Sequence, residues 1–201
     1  MSEAIENAPM MTPANVADGA NGVSEPRQWY VAYVGPRAEK SVRDQLESQG
    51  IEAFAATQWE IRVWRNGRRK KLEVPVITQY VFVKVTETQR RQILQLPYIH
   101  SFLTDKATVA NEFGRHALAV IPESQMEVLQ RLLAQSDSRV RFATSGFVVG
   151  DKVRVLGWGE TIEGEIVRIR GDKARYIGIR IAQLGCAYME VSPNLLIKNT
   201  K

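Results

Sequence analysis

The chain has little of the chemistry that metal sites and most enzymes use. Its 201 residues include one cysteine, Cys186, and two histidines, His100 and His116. No CxxC or HxxxH spacing is present, so the sequence predicts no metal site and no cofactor. A Cys–His pair stays open on spacing alone, although Cys186, between Gly185 and Ala187, is expected to be a small buried or turn residue. With no acid–base constellation in view, we expect a protein that is not an enzyme.

Long apolar runs and early basic residues are also missing. The first Lys or Arg is Arg27 and no long uncharged apolar run exists, so we expect no secretory signal, no membrane span and a cytoplasmic location. The lone cysteine excludes an internal disulfide framework and fits a reducing compartment. Four of the 22 acidic residues precede residue 27, so the remainder carries 18 acids against 27 bases, a balance near +9. Such a balance favours a phosphate-rich partner or a solvated basic surface.

The most informative segment is 62–85, which reads RVWRNGRRKKLEVPVITQYVFVKV. Asn66-Gly67 stands between two strand-like runs, which predicts a hairpin whose two central residues both tolerate positive φ. A charged tip of this kind suits a polyanion, because long basic side chains can reach phosphates without being buried. The basic residues around the turn, with no acidic residue among them, are Arg62, Arg65, Arg68, Arg69, Lys70 and Lys71.

Strand and helix patterns alternate over residues 27–134, after a tail (1–26) without periodicity that we expect to be disordered. WYVAYV (29–34) is apolar on both faces, as in a central strand. A helix carrying Val42 and Leu46 ends near Gly50, and a capping box at Thr86 begins a second helix. A third helix follows Pro122, with Met126, Leu129, Leu132 and Leu133 on one stripe. The pattern predicts an α+β sandwich with a mostly antiparallel sheet.

The last third of the chain reads as short strands only. Residues 135–146 are polar and loop-like and are predicted to be a linker. Over 147–198, five strand patterns are separated by turn signals at 157–161, 171–172, 185 and 192–194. So many short strands bury a core by curling into a small β-barrel.

Four aromatic residues admit two interpretations each. Trp59 and Trp64 lie beside the basic tip and could stack on unpaired bases, but residue type favours packing in the core. Tyr33 and Tyr80 lie on predicted strands, where periodicity favours the core. If both share an exposed face with Phe82, the three would form a binding hot spot instead.

These pieces together resemble the NusG family of transcription elongation factors. The resemblance rests on WYVAYV, the helix after it, the basic hairpin, QYVFVKV and a barrel beginning GDKVRV, and it covers about residues 28–198. It is closer to specialised paralogs, namely RfaH and above all UpxY-type antiterminators of capsular polysaccharide operons, through EGEIVRIRGDKAR and CAYMEVSPNLL. The resemblance implies an NGN-like α/β sandwich followed by a KOW-type, SH3-like barrel.

The family resemblance also implies partners and contact residues. Such factors are expected to be monomers that dock on the clamp helices of bacterial RNA polymerase and touch upstream or non-template DNA. The apolar docking patch falls on Tyr33, Ile77, Tyr80 and Phe82, with Phe102 beside it. Contacts across the polymerase cleft fall on Arg90, Arg91 and Gln92. DNA-facing residues would be Arg37, Lys40, Arg65, Arg68, Arg69, Lys70 and Lys71.

The function implied is antitermination at a particular operon by suppressed pausing and termination. Two alternatives stay open. One is a housekeeping NusG-type elongation factor that recruits Rho, and the other is an RNA- or ribosome-binding KOW module. In the family, the barrel's partner is Rho or a ribosomal protein.

Overall fold

The structure is a computed structural model, and it describes residues 25–134, 139–144, 147–155, 162–169, 176–181, 184–190 and 196–198. Residues 1–24 of the predicted tail (1–26) lie outside the described residues, as do the turns predicted at 157–161, 171–172 and 192–194. Among the described residues, no helix has both the length and the apolar character needed to cross a membrane.

The first part of the chain is an antiparallel sheet with three helices against it. The strands are β1 (Gln28–Val34), β2 (Glu52–Phe54), β5 (Tyr80–Val85), β6 (Ile99–Phe102) and β7 (Val120–Ile121). The helices are α1 (Glu39–Ser48), α2 (Glu87–Ile93) and α3 (Glu123–Ala134). The strand order is β2-β5-β1-β6 with β7 also beside β1, and every pairing is antiparallel. The predicted α+β architecture is confirmed for this part.

The two faces of this sheet pack against different helices, because successive side chains of a strand point to opposite sides. On β1, Tyr30, Ala32 and Val34 face α1 and α2 in one apolar cluster. Trp29 and Val31 face the other way and pack with α3. The central strand is thus buried on both sides, as its continuous apolar sequence predicts.

The helix boundaries follow from local sequence. Thr86 accepts a hydrogen bond from the backbone N–H of Gln89, whose side chain accepts one from the N–H of Thr86, so the predicted capping box is confirmed. Gly50 takes a φ of 76° directly after α1, a conformation that costs glycine little. The predicted stripe of α3 is confirmed as well, since all four of its members are buried.

The basic segment forms a separate two-stranded hairpin from β3 (Thr57–Val63) and β4 (Arg69–Pro75). Its turn differs from the predicted one. Gly67 alone takes positive φ (77°), while the Asn66 side-chain oxygen accepts a hydrogen bond from the N–H of Arg68. The Trp64 N–H donates a hydrogen bond to the Arg68 oxygen and closes a three-residue loop, 65–67. This loop ends in a left-handed glycine, and its asparagine acts through the side chain.

The last part of the chain forms a second antiparallel sheet. Its strands are β8 (Arg141–Ala143), β9 (Phe147–Val155), β10 (Ile162–Ile169), β11 (Tyr176–Ile181), β12 (Gly185–Glu190) and β13 (Leu196–Lys198). Their order in the sheet is β13-β9-β10-β11-β12-β8. The predicted linker, 135–146, contains one of its strands, β8, which pairs with β12. Cys186, on β12, is fully buried, as expected.

Candidate functional site

A pair of tyrosines lies side by side on the first sheet. Tyr33 on β1 and Tyr80 on β5 are directly opposite each other, and their ring centroids are 5.7 Å apart. The ring of His100, on β6, lies 5.7 Å from that of Tyr33. Both tyrosines are half-buried and His100 is exposed. We call Tyr33, Tyr80, Gln79 and His100 the tyrosine patch.

A buried carboxylate supports this patch from below. The Nε2 of Gln79 donates a hydrogen bond to the Tyr33 hydroxyl at 3.2 Å, although Gln79 itself has a φ of 67°, which is unusual for a residue with a side chain. The Glu39 carboxylate accepts a hydrogen bond from the backbone N–H of Gln79 at 2.7 Å and is only 2% exposed. Glu39, in the first turn of α1, thus holds the strained residue that orients Tyr33.

The other predicted docking residues lie elsewhere. Phe82 shares a sheet face with Tyr80 but is fully buried, and Ile77 is also buried, so both form the floor of the patch rather than its surface. Phe102 is not beside the patch. It is paired with Ala32 and packs against Tyr30 on the opposite face, since the register puts it on the side of α1 and α2.

The predicted contact residues on α2 differ in exposure. Arg90 is buried, lies 5.2 Å from the centroid of the Phe102 ring and forms two hydrogen bonds to Glu87, at 2.7 and 2.8 Å. Hydrogen bonds from Arg90, helped by one from Arg91, outweigh the opposing effect of burial and lower the pKa of Glu87 to about 2. Arg91 and Gln92 are exposed. Of the three predicted residues, Arg91 and Gln92 are therefore accessible to a partner. The guanidinium of Arg90 binds Glu87 inside the fold.

The hairpin tip carries an unneutralised group of cations. All of its basic residues are exposed, and within the described part of the chain none of them forms an ion pair. Cations close together repel one another when no acid compensates them, and a polyanion relieves that repulsion. These tip cations are Arg62, Arg65, Arg68, Arg69, Lys70 and Lys71.

The base of the hairpin is attached to α1. Arg43 forms an ion pair with Glu73 on β4 at 2.7 Å, and Lys40 donates a hydrogen bond to the Glu73 backbone oxygen at 3.2 Å. Burial raises the pKa of Glu73, but hydrogen bonds from Arg43 and Thr57 outweigh it, so the pKa lies below its ordinary value. Arg37, the other predicted DNA residue near α1, is exposed with a φ of 63°.

Both tryptophans of the hairpin are on its surface, so the preference for core packing is wrong. Trp59 is 57% exposed and Trp64 is 56% exposed. A two-stranded ribbon has no second layer to cover both of its faces, and this is why an aromatic residue stays exposed there. The sequence offered a signal in the alternation of Trp59, Ile61 and Val63 with polar residues, which predicts one apolar face.

Three residues of the tyrosine patch and its support were not predicted. From the sequence His100 stands out only as a candidate ligand or nucleophile, and Gln79 and Glu39 are not predicted. For Gln79 and Glu39 the sequence holds no local signal, because the two residues are 40 positions apart and meet through the sheet.

Comparison with known protein families identifies a family match for the first part of the chain. A protein-family model described as "Transcription termination factor nusG" matches residues 27–130, a little over half of the chain. This range begins one residue before β1, ends within α3 and includes the tyrosine patch, the hairpin and α2. A comparison with curated proteins found no match.

Proposed function

The chain belongs to the NusG family, and on that premise we propose that it is an operon-specific antitermination factor that docks on bacterial RNA polymerase and suppresses pausing and termination. The observation that carries this proposal is the presence, within one family-matched unit, of an aromatic patch and an unneutralised basic hairpin. One surface suits an apolar protein groove and the other suits phosphate. The two together fit a factor that bridges polymerase and DNA.

In this proposal the tyrosine patch docks on the clamp helices of polymerase. Half-buried tyrosines supply large rigid contact area and a hydroxyl, the combination that protein interfaces favour. Ile77 and Phe82 support the patch from beneath, and Glu39 fixes its shape through Gln79. Arg91 and Gln92 are the α2 residues that would meet the opposite side of the cleft.

The tip cations would contact upstream or non-template DNA. Each phosphate neutralised releases counterions, so this contact should weaken as salt rises. Arg37 is exposed and would add to it, whereas Lys40 would act mainly by holding the base of the hairpin.

The finer parts of the proposal rest on the sequence resemblance. We assign 27–134 to an NGN-like polymerase-binding domain and 147–198 to a KOW-type, SH3-like barrel, whose sheet also takes up strand β8 from the predicted linker, 135–146. We place the chain among the UpxY-type and RfaH-like paralogs acting at capsular polysaccharide loci in the cytoplasm. The factor would be a monomer without enzymatic activity, and its barrel would take a ribosomal protein or Rho as partner.

The test uses variants of the two surfaces in a pull-down of polymerase and in transcription through a terminator on the cognate leader. Tyr33→Ala with Tyr80→Ala should abolish co-purification, because both tyrosine rings of the patch are lost. Phe82 is left intact, since truncating a buried ring would unfold the domain rather than test the surface. Tyr98→Ala, a half-buried tyrosine packed with the α1 and α2 cluster, is the control. Unchanged polymerase binding in the double variant would falsify the docking assignment.

Charge reversal at Arg68, Arg69 and Lys70 forms the second arm. Readthrough should fall while polymerase binding persists, because the tip is separate from the patch. Reversal of two exposed cations outside the hairpin, Lys106 and Arg115, should leave readthrough unchanged. A housekeeping factor that recruits Rho would instead increase termination, and an RNA- or ribosome-binding module would be retained on RNA without polymerase.

A further inference from the structure

One face of the hairpin is apolar and uncovered. Trp59, Ile61 and Val63 alternate along β3 and therefore point to the same side. They are 57%, 69% and 63% exposed. Three large apolar side chains in a row at such exposure are an unusual surface for a soluble protein, and they indicate a binding face.

The same face also carries positive charge. The residues opposite Ile61 and Val63 on β4 are Lys71 and Arg69, and the ammonium of Lys71 lies 5.2 Å from the centroid of the Trp59 ring. Directly opposite residues of an antiparallel pair project to the same side. The side chains of Trp59, Ile61, Val63, Arg69 and Lys71 therefore form one surface, which we call the stacking face.

One acidic residue borders the stacking face at the base of the hairpin. Glu73 is directly opposite Trp59 and projects to the same side, but its carboxylate forms an ion pair with Arg43 at 2.7 Å. The stacking face therefore keeps its positive charge.

The reverse face of the hairpin is used differently. Gln58 is buried, and its side-chain oxygen accepts a hydrogen bond from the backbone N–H of Val140 at 2.9 Å. Glu60 forms an ion pair with Arg139 at 3.0 Å. The face that carries Gln58 and Glu60 is thus covered at the base of the hairpin. The stacking face is exposed to solvent from Glu73 to the tip.

We infer that the stacking face binds single-stranded nucleic acid, with a base stacked on Trp59 and phosphates held by Lys71 and Arg69. The charge points to a polyanion, because no acidic residue stands among the tip cations. The exposed ring and the two aliphatic side chains point to flat apolar ligand surfaces, and unpaired bases present these whereas a duplex hides them in its stack. The inference deepens the DNA contact proposed above for the hairpin and rests on it.

The test needs only the full purified chain and oligonucleotides of about 12 nucleotides, a length within the site sizes of single-strand-binding proteins. Fluorescence anisotropy compares labelled oligo(dT), oligo(rU) and a DNA duplex. Trp59→Ala should weaken binding of at least one single strand about tenfold, the loss expected for one stacked base. Trp59→Phe should restore most of the affinity, and affinity for duplex should not change. The dT and rU arms tell a DNA strand from an RNA strand.

Trp64 provides a matched control. It is as exposed as Trp59 but lies beyond the end of β3, in the turn of the hairpin, and is not part of the stacking face. Trp64→Ala should bind single strands as the unaltered chain does. All of these side chains are exposed, so melting temperatures should be unchanged and a loss of binding cannot be attributed to unfolding.

The outcomes separate this inference from the proposed function. If Trp59→Ala binds like the unaltered chain but reversal of Arg68, Arg69 and Lys70 abolishes binding, the stacking face is wrong and the DNA role of the tip stands. If the unaltered chain binds no oligonucleotide, the stacking face and the DNA role of the tip are both wrong. If Trp59→Ala only converts a dimer to a monomer in sedimentation, the face is a contact between copies and the inference is overturned.

Discussion

At the scale of single residues, Glu87 organises the surface of α2. Its carboxylate accepts hydrogen bonds from Arg90 and Arg91, and it stands in the first turn of the helix, where a negative charge also interacts well with the helix dipole. Arg90 is then positioned over the Phe102 ring. A residue predicted to touch a partner therefore has a structural role, and its neighbour Arg91 keeps the exposed position.

Glu87→Gln should lower the free energy of unfolding by about 1 to 2 kcal/mol at neutral pH, because a largely buried guanidinium loses its charged partner while part of the pair is screened by water. The pKa of Glu87 is about 2 in the folded chain against an ordinary 4.5. The stabilisation is therefore complete above about pH 4.5 and is lost as the pH falls through about 2. Urea unfolding across this range measures it.

The matched control for this residue is Glu47→Gln on α1, since Glu47 is exposed and forms no ion pair within the described residues. It should change the stability little at any pH. A Glu87→Gln deficit that persists undiminished at pH 2 would mean that the effect comes from shape rather than charge.

The tyrosine patch shows what a residue pattern can and cannot predict. Alternation along β5 predicts that Tyr80 and Phe82 share a face, but only the register of β1 and β5 places Tyr33 opposite Tyr80 on that same face. Alternation does not predict how deeply each side chain is buried. Phe82 is near the middle of β5, packed against Phe54, whereas Tyr33 and Tyr80 are at the strand ends that meet, where less of the fold covers them. Depth depends on the helices and loops that other parts of the chain supply.

At the scale of elements, the hairpin is the least self-sufficient part of the fold. A two-stranded ribbon is marginally stable alone, and much of this one is exposed. Its order comes from its base, where Glu73 binds Arg43 and Thr57, and from Gln58, which accepts a hydrogen bond from Val140. An arm held at one end can present its tip and its stacking face to a partner without disturbing the core.

Arg43→Met should loosen the hairpin while leaving the first sheet intact. The Arg43–Glu73 pair is largely shielded from solvent, so its loss should cost about 1 kcal/mol locally. Amide hydrogen exchange over 57–75 should then speed up about fivefold, and exchange in β1 and β5 should not change. Exchange measured by mass spectrometry resolves these segments.

Arg62→Met, an exposed cation of the same hairpin without an ion pair among the described residues, controls for the loss of charge. It should leave exchange unchanged. Equal acceleration in both variants would show that net charge, and not the attachment to α1, governs the order of the hairpin.

Elements differ in how far their sequence predicts them. The capping box at Thr86 and the stripe of α3 were predictable, because each depends on residues within a few positions of one another. Strand β8 was not. Arg141–Ala143 looks like linker, and it becomes a strand only because β12, more than 40 residues later, pairs with it. Long-range pairing leaves little trace in a three-residue sequence.

At the scale of the whole molecule, α3 connects the two sheets. Leu129 and Leu132 lie in one apolar cluster with Trp29 of the first sheet and with Ile177 and Met189 of the second. The two sheets thus pack against the same helix. A helix buried on two sides links their stabilities, since loosening it removes contacts from both.

Leu129→Ala should therefore lower the stability of both sheets. Leu129 is fully buried, and such truncations cost about 2 to 5 kcal/mol. Native-state hydrogen exchange should report reduced protection in β1 and β5 and also in β11 and β12. The comparison variant is Leu46→Ala on α1, equally buried but packed only within the first sheet's other cluster. It should reduce protection in the first sheet alone, because it leaves the surface that α3 presents to β11 and β12 unchanged. If Leu129→Ala left β11 and β12 as protected as before, the second sheet would be stable without α3, and the two sheets would behave as independent units.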